Sequence, residues 1–174
     1  MPEQKTDRER VEFALRTESD GSDFYSQAKE QTDHKLARAA FEVLSNEEMR
    51  HVALIRALGK HLEEGAALEE PDSPTSSDLM SNIKTIYGEA IEGRGEGTMD
   101  PAAAYDKAIE LEKRISALYF DYASECESDE AKRLFDVLYR EEQRHLSLLE
   151  DMLGYLTKPD EWFIDRDGVM LDGG

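Results

Sequence analysis

The feature of this sequence that most restricts its fold is an internal repeat with a helical pattern. An offset of 94 residues pairs FEVLSNEEMRHVALI, from Phe41, with FDVLYREEQRHLSLL, from Phe135, and eight of these fifteen positions are identical. A solenoid array would use shorter units in larger numbers. The repeat therefore predicts two helical hairpins of one design, related by a pseudo-two-fold axis.

Apolar residues return every three or four positions along most of the chain, and no sustained alternation indicates strands. We therefore predict an all-α four-helix bundle. The helix starts are marked by capping residues, and glycines are expected to end the second helix, at Gly59 or Gly65, and the fourth, at Gly154. The predicted helices run from Thr6 to about Glu30, from about Asp33 to about Leu58, from Asp100 to about Cys126 and from Ser128 to about Leu153.

The segment between the hairpins, EEGAALEEPDSPTSS, is rich in Pro, Ser, Gly and Glu and predicts a linker. An amphipathic stretch from about Ser77 to Glu92 predicts a short helix within this crossover. The length of the chain suits one domain. We expect residues 1–158 to form the bundle, and the apolar tail, residues 159–174, to dock on it or on a second subunit.

Charge and cysteine content restrict the partners. A formal net charge of -19 disfavours nucleic acid and anionic lipid and favours cations. One cysteine, Cys126, allows neither an internal disulfide nor a four-thiolate iron centre, so electrons would come from outside the chain. The charged first residues and the absence of a long apolar run predict no secretory signal and no membrane span. We therefore expect a cytoplasmic protein.

The second and fourth helices each carry a Glu-x-x-His pair on an apolar stripe. His51 lies three positions after Glu48 and four before Ile55, so all three share one helical face. Glu142 and His145 repeat this arrangement on the fourth helix. The two side chains of each pair lie one helical turn apart, so both can reach one metal position.

The first and third helices contribute one carboxylate each, Glu18 and Glu112, with Tyr25 and Tyr119 seven positions further on. One Glu from each of two helices and a Glu-x-x-His from each of the other two is the donor set of two-metal carboxylate bundles. Four carboxylates balance two divalent ions, and these ligands suit iron or manganese. A metal-free polar core is the alternative, but it would bury unpaired carboxylates at a high cost.

Four segments of the chain resemble the helices of rubrerythrin-like proteins in the ferritin-like superfamily. They are ALRTESDGSDFYSQA, FEVLSNEEMRHVALI, AIELEKRISALYFDYA and FDVLYREEQRHLSLL. The resemblance implies two irons per chain, with manganese or mixed metals as alternatives. It implies that one iron is held by Glu18 and His51, the other by Glu112 and His145, and that Glu48 and Glu142 bridge them. Rubrerythrins often have a further Glu where this chain has Ile115, and many carry a thiolate iron domain that is not expected here.

The resemblance also implies a function. It predicts a di-iron oxidoreductase that reduces hydrogen peroxide or dioxygen, as a homodimer, with electrons from a rubredoxin-like or other external donor or from free Fe(II). One alternative is a ferroxidase or iron-storage protein, for which Fe(II) is itself the substrate. Another is a structural helical bundle whose site is vestigial.

Several other side chains near the pattern have simpler interpretations. Tyr25 and Tyr119 are expected to pack in the core, where a hydrogen bond to a ligand is plausible. Glu47 and Glu141 are expected to face solvent and to pair with the arginines three positions on. The acidic neighbours of Cys126 predict an unreactive thiol.

Overall fold

The structure is a computed structural model that describes residues 5–65 and 100–158. Within these ranges the chain forms four α-helices and no strand, which confirms the predicted all-α four-helix bundle. The predicted short helix from Ser77 to Glu92 and the C-terminal tail lie outside the described residues. The helices are α1 (Asp7–Gln31), α2 (Lys35–Glu64), α3 (Pro101–Glu125) and α4 (Asp129–Thr157).

The helix bounds follow the repeat in the sequence. Both α1 and α3 have 25 residues, and α3 begins 94 positions after α1, as α4 does after α2. Each helix starts behind a side chain that accepts a backbone N–H, and at α1 Thr6 and Glu9 form the predicted capping box. Equivalent helices of the two hairpins therefore differ by at most one residue in length and have the same kind of start.

The second helix ends at Gly65, the later of the two glycines predicted to stop it and about two turns beyond Leu58, whereas the predicted end of the fourth helix was short by about one turn. The second helix continues through Gly59 to Glu64, and ends at Gly65, whose φ of 66° is the left-handed conformation that glycine adopts readily. At Gly59, an added Cβ would lie 3.3 Å from Cγ1 of Val11, so this glycine allows α1 to approach α2 closely. The fourth helix likewise continues through Gly154 to Thr157.

The apolar core consists of two layers, one towards each end of the bundle, and every helix contributes to both. In the first layer the ring of Phe41 packs between those of Tyr25 and Tyr105, and in the second the ring of Phe135 packs against Tyr119 and Tyr122. Phe41 and Phe135 are pseudo-two-fold equivalents. The polar side chains of the predicted site lie between these layers.

A polar contact fastens the start of α1 to the turn between α3 and α4. The carboxylate of Asp7 accepts backbone N–H groups from Glu127 and Ser128 at 2.8–3.1 Å. Arg10, which is 2% exposed, pairs with Asp7 and Glu125 at 3.3 and 3.0 Å. None of the described helices is both long and apolar enough to cross a membrane.

Replacement of a core ring should test the packing of the two hairpins. We expect Phe41→Ala to lower the free energy of unfolding by about 3–5 kcal/mol, because it leaves a cavity between rings of α1 and α3. The control Phe120→Ala removes a ring that is 59% exposed and should lower it by less than about 1 kcal/mol. Urea unfolding with a chelator present measures both. Equal losses would contradict the described core.

Cys126 is 3% exposed, and burial, followed by the nearby charge of Asp7, raises its pKa to about 12. A raised pKa means that the thiol keeps its proton at pH 8, so the reactive thiolate is scarce. We expect a thiol reagent at pH 8 to react about three orders of magnitude more slowly with the folded chain than with an ordinary cysteine. The same chain unfolded in urea is the control and should react at the ordinary rate.

Candidate metal centre

All six predicted site residues meet at the middle of the bundle, between the two apolar layers. Each is at most 2% exposed. The helical repeat accounts for the meeting, since equivalent positions of the two hairpins face the same pseudo-two-fold axis. The residues are Glu18 on α1, Glu48 and His51 on α2, Glu112 on α3, and Glu142 and His145 on α4.

The six side chains form two overlapping groups of possible ligands. Within each group the donor atoms all lie within 4.8 Å of one another. Both groups contain Glu48 and Glu142, while each has one further Glu and one His of its own. One group is Glu18, Glu48, His51 and Glu142, and the other is Glu48, Glu112, Glu142 and His145. This arrangement fits two adjacent metal ions that would share two carboxylates.

Both histidines direct the same nitrogen, Nδ1, towards the carboxylates. Nδ1 of His51 lies 3.1 Å from Glu18, 3.1 Å from Glu142 and 3.6 Å from Glu48. Nδ1 of His145 lies 3.2 Å from Glu48 and 3.3 Å from Glu142. The two rings stack with their centroids 5.4 Å apart. Each imidazole can therefore offer one lone pair to the centre.

The buried carboxylates lack enough protein partners. Among the described residues, neither carboxylate oxygen of Glu48 or Glu142, nor Oε2 of Glu112, makes a hydrogen bond of suitable geometry. Nδ1 of His145 likewise makes no hydrogen bond of suitable geometry with the described residues. Oxygen atoms buried in this way are destabilising unless a cation neutralises them. The donor set and its unsatisfied oxygens therefore fit a pair of divalent cations.

The two kinds of glutamate differ in their affinity for protons. Burial, and then the charge of Glu48, raises the pKa of Glu18 to about 8, and burial raises that of Glu112 well above its usual range. Burial and the charge of Glu18 would also raise the pKa of Glu142, but His145 and His51 lower it to about 2. Burial and the charge of Glu142 would raise the pKa of Glu48, but its neighbours Glu18, His145 and His51 lower it. The shared carboxylates thus carry the negative charge.

The tyrosines hold the outer carboxylates across the hairpins. The hydroxyl of Tyr25 on α1 donates to Oε1 of Glu112 on α3. The hydroxyl of Tyr119 on α3 donates to Oε1 of Glu18 on α1. Both rings are fully buried, so packing and hydrogen bonding coexist. Each hairpin therefore orients the outer carboxylate of the other.

The expectation that Glu141 faces solvent was wrong. Its side chain is only 2% exposed, and it lies 2.8 Å from Nε2 of His51 and also accepts a hydrogen bond from Arg50. The helical face a quarter-turn from the core stripe falls at the contact between α4 and α2, and sequence spacing alone does not reveal that contact. Glu47 is partly exposed and pairs with Arg50 at 3.0 Å, as its spacing predicts.

The inner faces of α1 and α3 differ one turn beyond the outer carboxylates. At Gly21 on α1, an added Cβ would lie 3.6 Å from Cδ of Glu48, in ordinary contact. The equivalent position on α3 is Ile115, which is 3% exposed. A glycine here leaves α1 without a side chain beside the shared carboxylate, so a residue much larger than alanine would press on Glu48.

The family model described as Rubrerythrin matches residues 9–153. The chain belongs to the rubrerythrin family. Neither a curated protein nor a solved structure gives a significant match. Membership of the rubrerythrin family, together with the buried cluster of carboxylates and histidines, indicates a di-iron type of metal-binding protein. The number of ions and the role of each residue stay predictions.

A single substitution should test whether the two ligand groups hold metal. We expect Glu48→Leu to abolish the stabilisation of the chain by added Co(II), because it removes a carboxylate that belongs to both groups. Urea unfolding with a chelator and with Co(II) measures this stabilisation.

The control for this experiment is Glu42→Leu, at a glutamate side chain that is 58% exposed. It should alter the free energy of unfolding by no more than about 0.5 kcal/mol and leave the Co(II) effect intact. A folded Glu48→Leu chain that is stabilised by Co(II) as much as the unaltered chain would contradict the assignment.

Proposed function

We propose that this member of the rubrerythrin family is a non-haem di-iron oxidoreductase that reduces hydrogen peroxide or dioxygen. The observation that supports it best is the pair of overlapping ligand groups, fully buried, that share Glu48 and Glu142. Glu18 and His51 would hold one iron, and Glu112 and His145 would hold the other. Two such ions, when bound, supply the oxidant with one electron each.

The chain itself provides a closed and oriented surrounding. Apolar layers on both sides exclude bulk water, which strengthens electrostatic interactions at the centre. The hydroxyl groups of Tyr25 and Tyr119 keep a proton at the outer oxygens of Glu112 and Glu18. The charges of neighbouring carboxylates outweigh burial and raise the pKa of both histidines, so cations would bind at the centre in exchange for protons.

The electrons would come from outside this chain, either from an external protein donor such as a rubredoxin-like protein or from free Fe(II). The net charge of -19 favours the approach of Fe(II). This charge also supports the second candidate, a ferroxidase or iron-storage protein, in which Fe(II) is the substrate. We propose a homodimer, whereas storage would require a much larger shell.

Anaerobic titration with Fe(II), followed by rapid mixing with hydrogen peroxide or with air, tests the proposal. We expect saturation at two irons per chain, because each ligand group can hold one ion. Oxidation by peroxide should be at least about tenfold faster than oxidation by air, and should be lost in Glu48→Leu. Absorption spectra during the reaction and the mass in solution provide the measurements.

Faster oxidation by air would favour an oxidase or ferroxidase, and retention of many irons by a large assembly would favour storage. A folded helical chain that binds no iron to saturation would leave only the structural bundle. The control Glu42→Leu should behave like the unaltered chain in each assay.

A further inference from the structure

The pseudo-two-fold symmetry of the centre fails at one pair of glutamates. Glu141 and Glu47 occupy equivalent positions, 94 residues apart, directly before the two shared carboxylates. Glu141 is 2% exposed, whereas the side chain of Glu47 is 20% exposed. If Glu141 acts on one of the proposed metal positions and Glu47 does not act in the same way on the other, the two positions will differ in their affinity for metal.

Glu141 differs from Glu47 in its contact with a histidine nitrogen that points away from the centre, Nε2 of His51. While Nδ1 of His51 faces the carboxylates of the centre, its Nε2 lies 2.8 Å from Oε2 of Glu141. An imidazole that binds a metal through one nitrogen carries its proton on the other, and a carboxylate accepting that proton fixes the tautomer and the ring orientation. It also makes the ligating nitrogen a stronger base.

Glu141 is itself held firmly. Arg50, from the neighbouring helix α2, donates to the same carboxylate oxygen that faces His51, and Arg144 lies 3.7 Å from the other oxygen. Glu47 has a carboxylate oxygen within 4.8 Å of a nitrogen of each histidine, but its hydrogen bonds go to Arg50. Among the described residues, His145 therefore has no equivalent carboxylate on its outward side within hydrogen-bond distance.

We propose that Glu141 is a positioning residue that keeps His51 in the tautomer with Nδ1 free for metal, and that it makes the His51 position bind metal more tightly than the His145 position. The inference rests on the proposed metal centre. It predicts that the two ions enter in order, the first beside His51 and the second beside His145.

Titration of the full chain with Co(II), which resists oxidation by air, tests the inference without turnover. We expect two binding steps, and the visible spectrum of the bound Co(II) and calorimetry measure the affinity of each. Glu141→Ala should weaken one step by about 10- to 100-fold, while the matched control Glu47→Ala should change either step by less than about threefold. Glu141→Gln keeps an oxygen acceptor for Nε2–H and should restore much of the lost affinity.

Backgrounds that lack one histidine show which step is affected. In a His145→Ala chain the remaining Co(II) is held by the His51 group. Adding Glu141→Ala to this chain should weaken Co(II) binding by the same factor of about 10 to 100. In a His51→Ala chain the remaining ion is held by the His145 group, and adding Glu141→Ala should leave its affinity unchanged. A role limited to folding would weaken binding equally in both backgrounds.

The results separate two kinds of failure. If the unaltered chain binds no Co(II) or Fe(II) to saturation, the metal centre and this inference are both overturned. If it binds two ions, but Glu141→Ala and Glu47→Ala weaken them alike, or Glu141→Ala acts equally in the two histidine backgrounds, the centre stands and the role of Glu141 is overturned.

Discussion

Burying four glutamate carboxyl groups side by side costs free energy, because each is removed from water. The surrounding structure contains the features that reduce this cost. Two apolar layers enclose the centre, and hydrogen bonds from tyrosine hold the outer carboxylates. The imidazoles help to lower the pKa of the shared pair, yet within the described residues several of these oxygens make no hydrogen bond of suitable geometry. The structure therefore stores unfavourable electrostatic energy that cations can release, which couples metal binding to stability.

The same constraint determines how the hairpins are joined. Neither hairpin holds a complete ligand group, because each group takes carboxylates from both. The contacts of Tyr25 and Tyr119 also run between hairpins, and the Asp7 carboxylate fastens α1 to the turn after α3. A relative shift of the hairpins would alter both candidate ligand groups together, so the geometry of the centre depends on the packing between the hairpins.

Periodicity and the repeat were sufficient to predict the four helices and the meeting of the six site residues, because both depend on helical spacing and on symmetry. They were insufficient at Gly59, where the close approach of Val11 decides the outcome, and at Glu141, where the α2–α4 contact does. Each depends on which helix lies beside which face, and a spacing rule applied to one helix contains no such information.

The crossed hydrogen bonds of the two tyrosines also bear on how a chain of this kind can originate. Tyr25 bonds Glu112 and Tyr119 bonds Glu18, and these are one contact repeated by the pseudo-two-fold axis. A single hairpin with one such Tyr, one outer Glu and one Glu-x-x-His would make the same contacts by pairing with its own copy. A covalent link between two such hairpins would preserve these crossed contacts and leave the halves free to differ, as they do at Gly21 and Ile115.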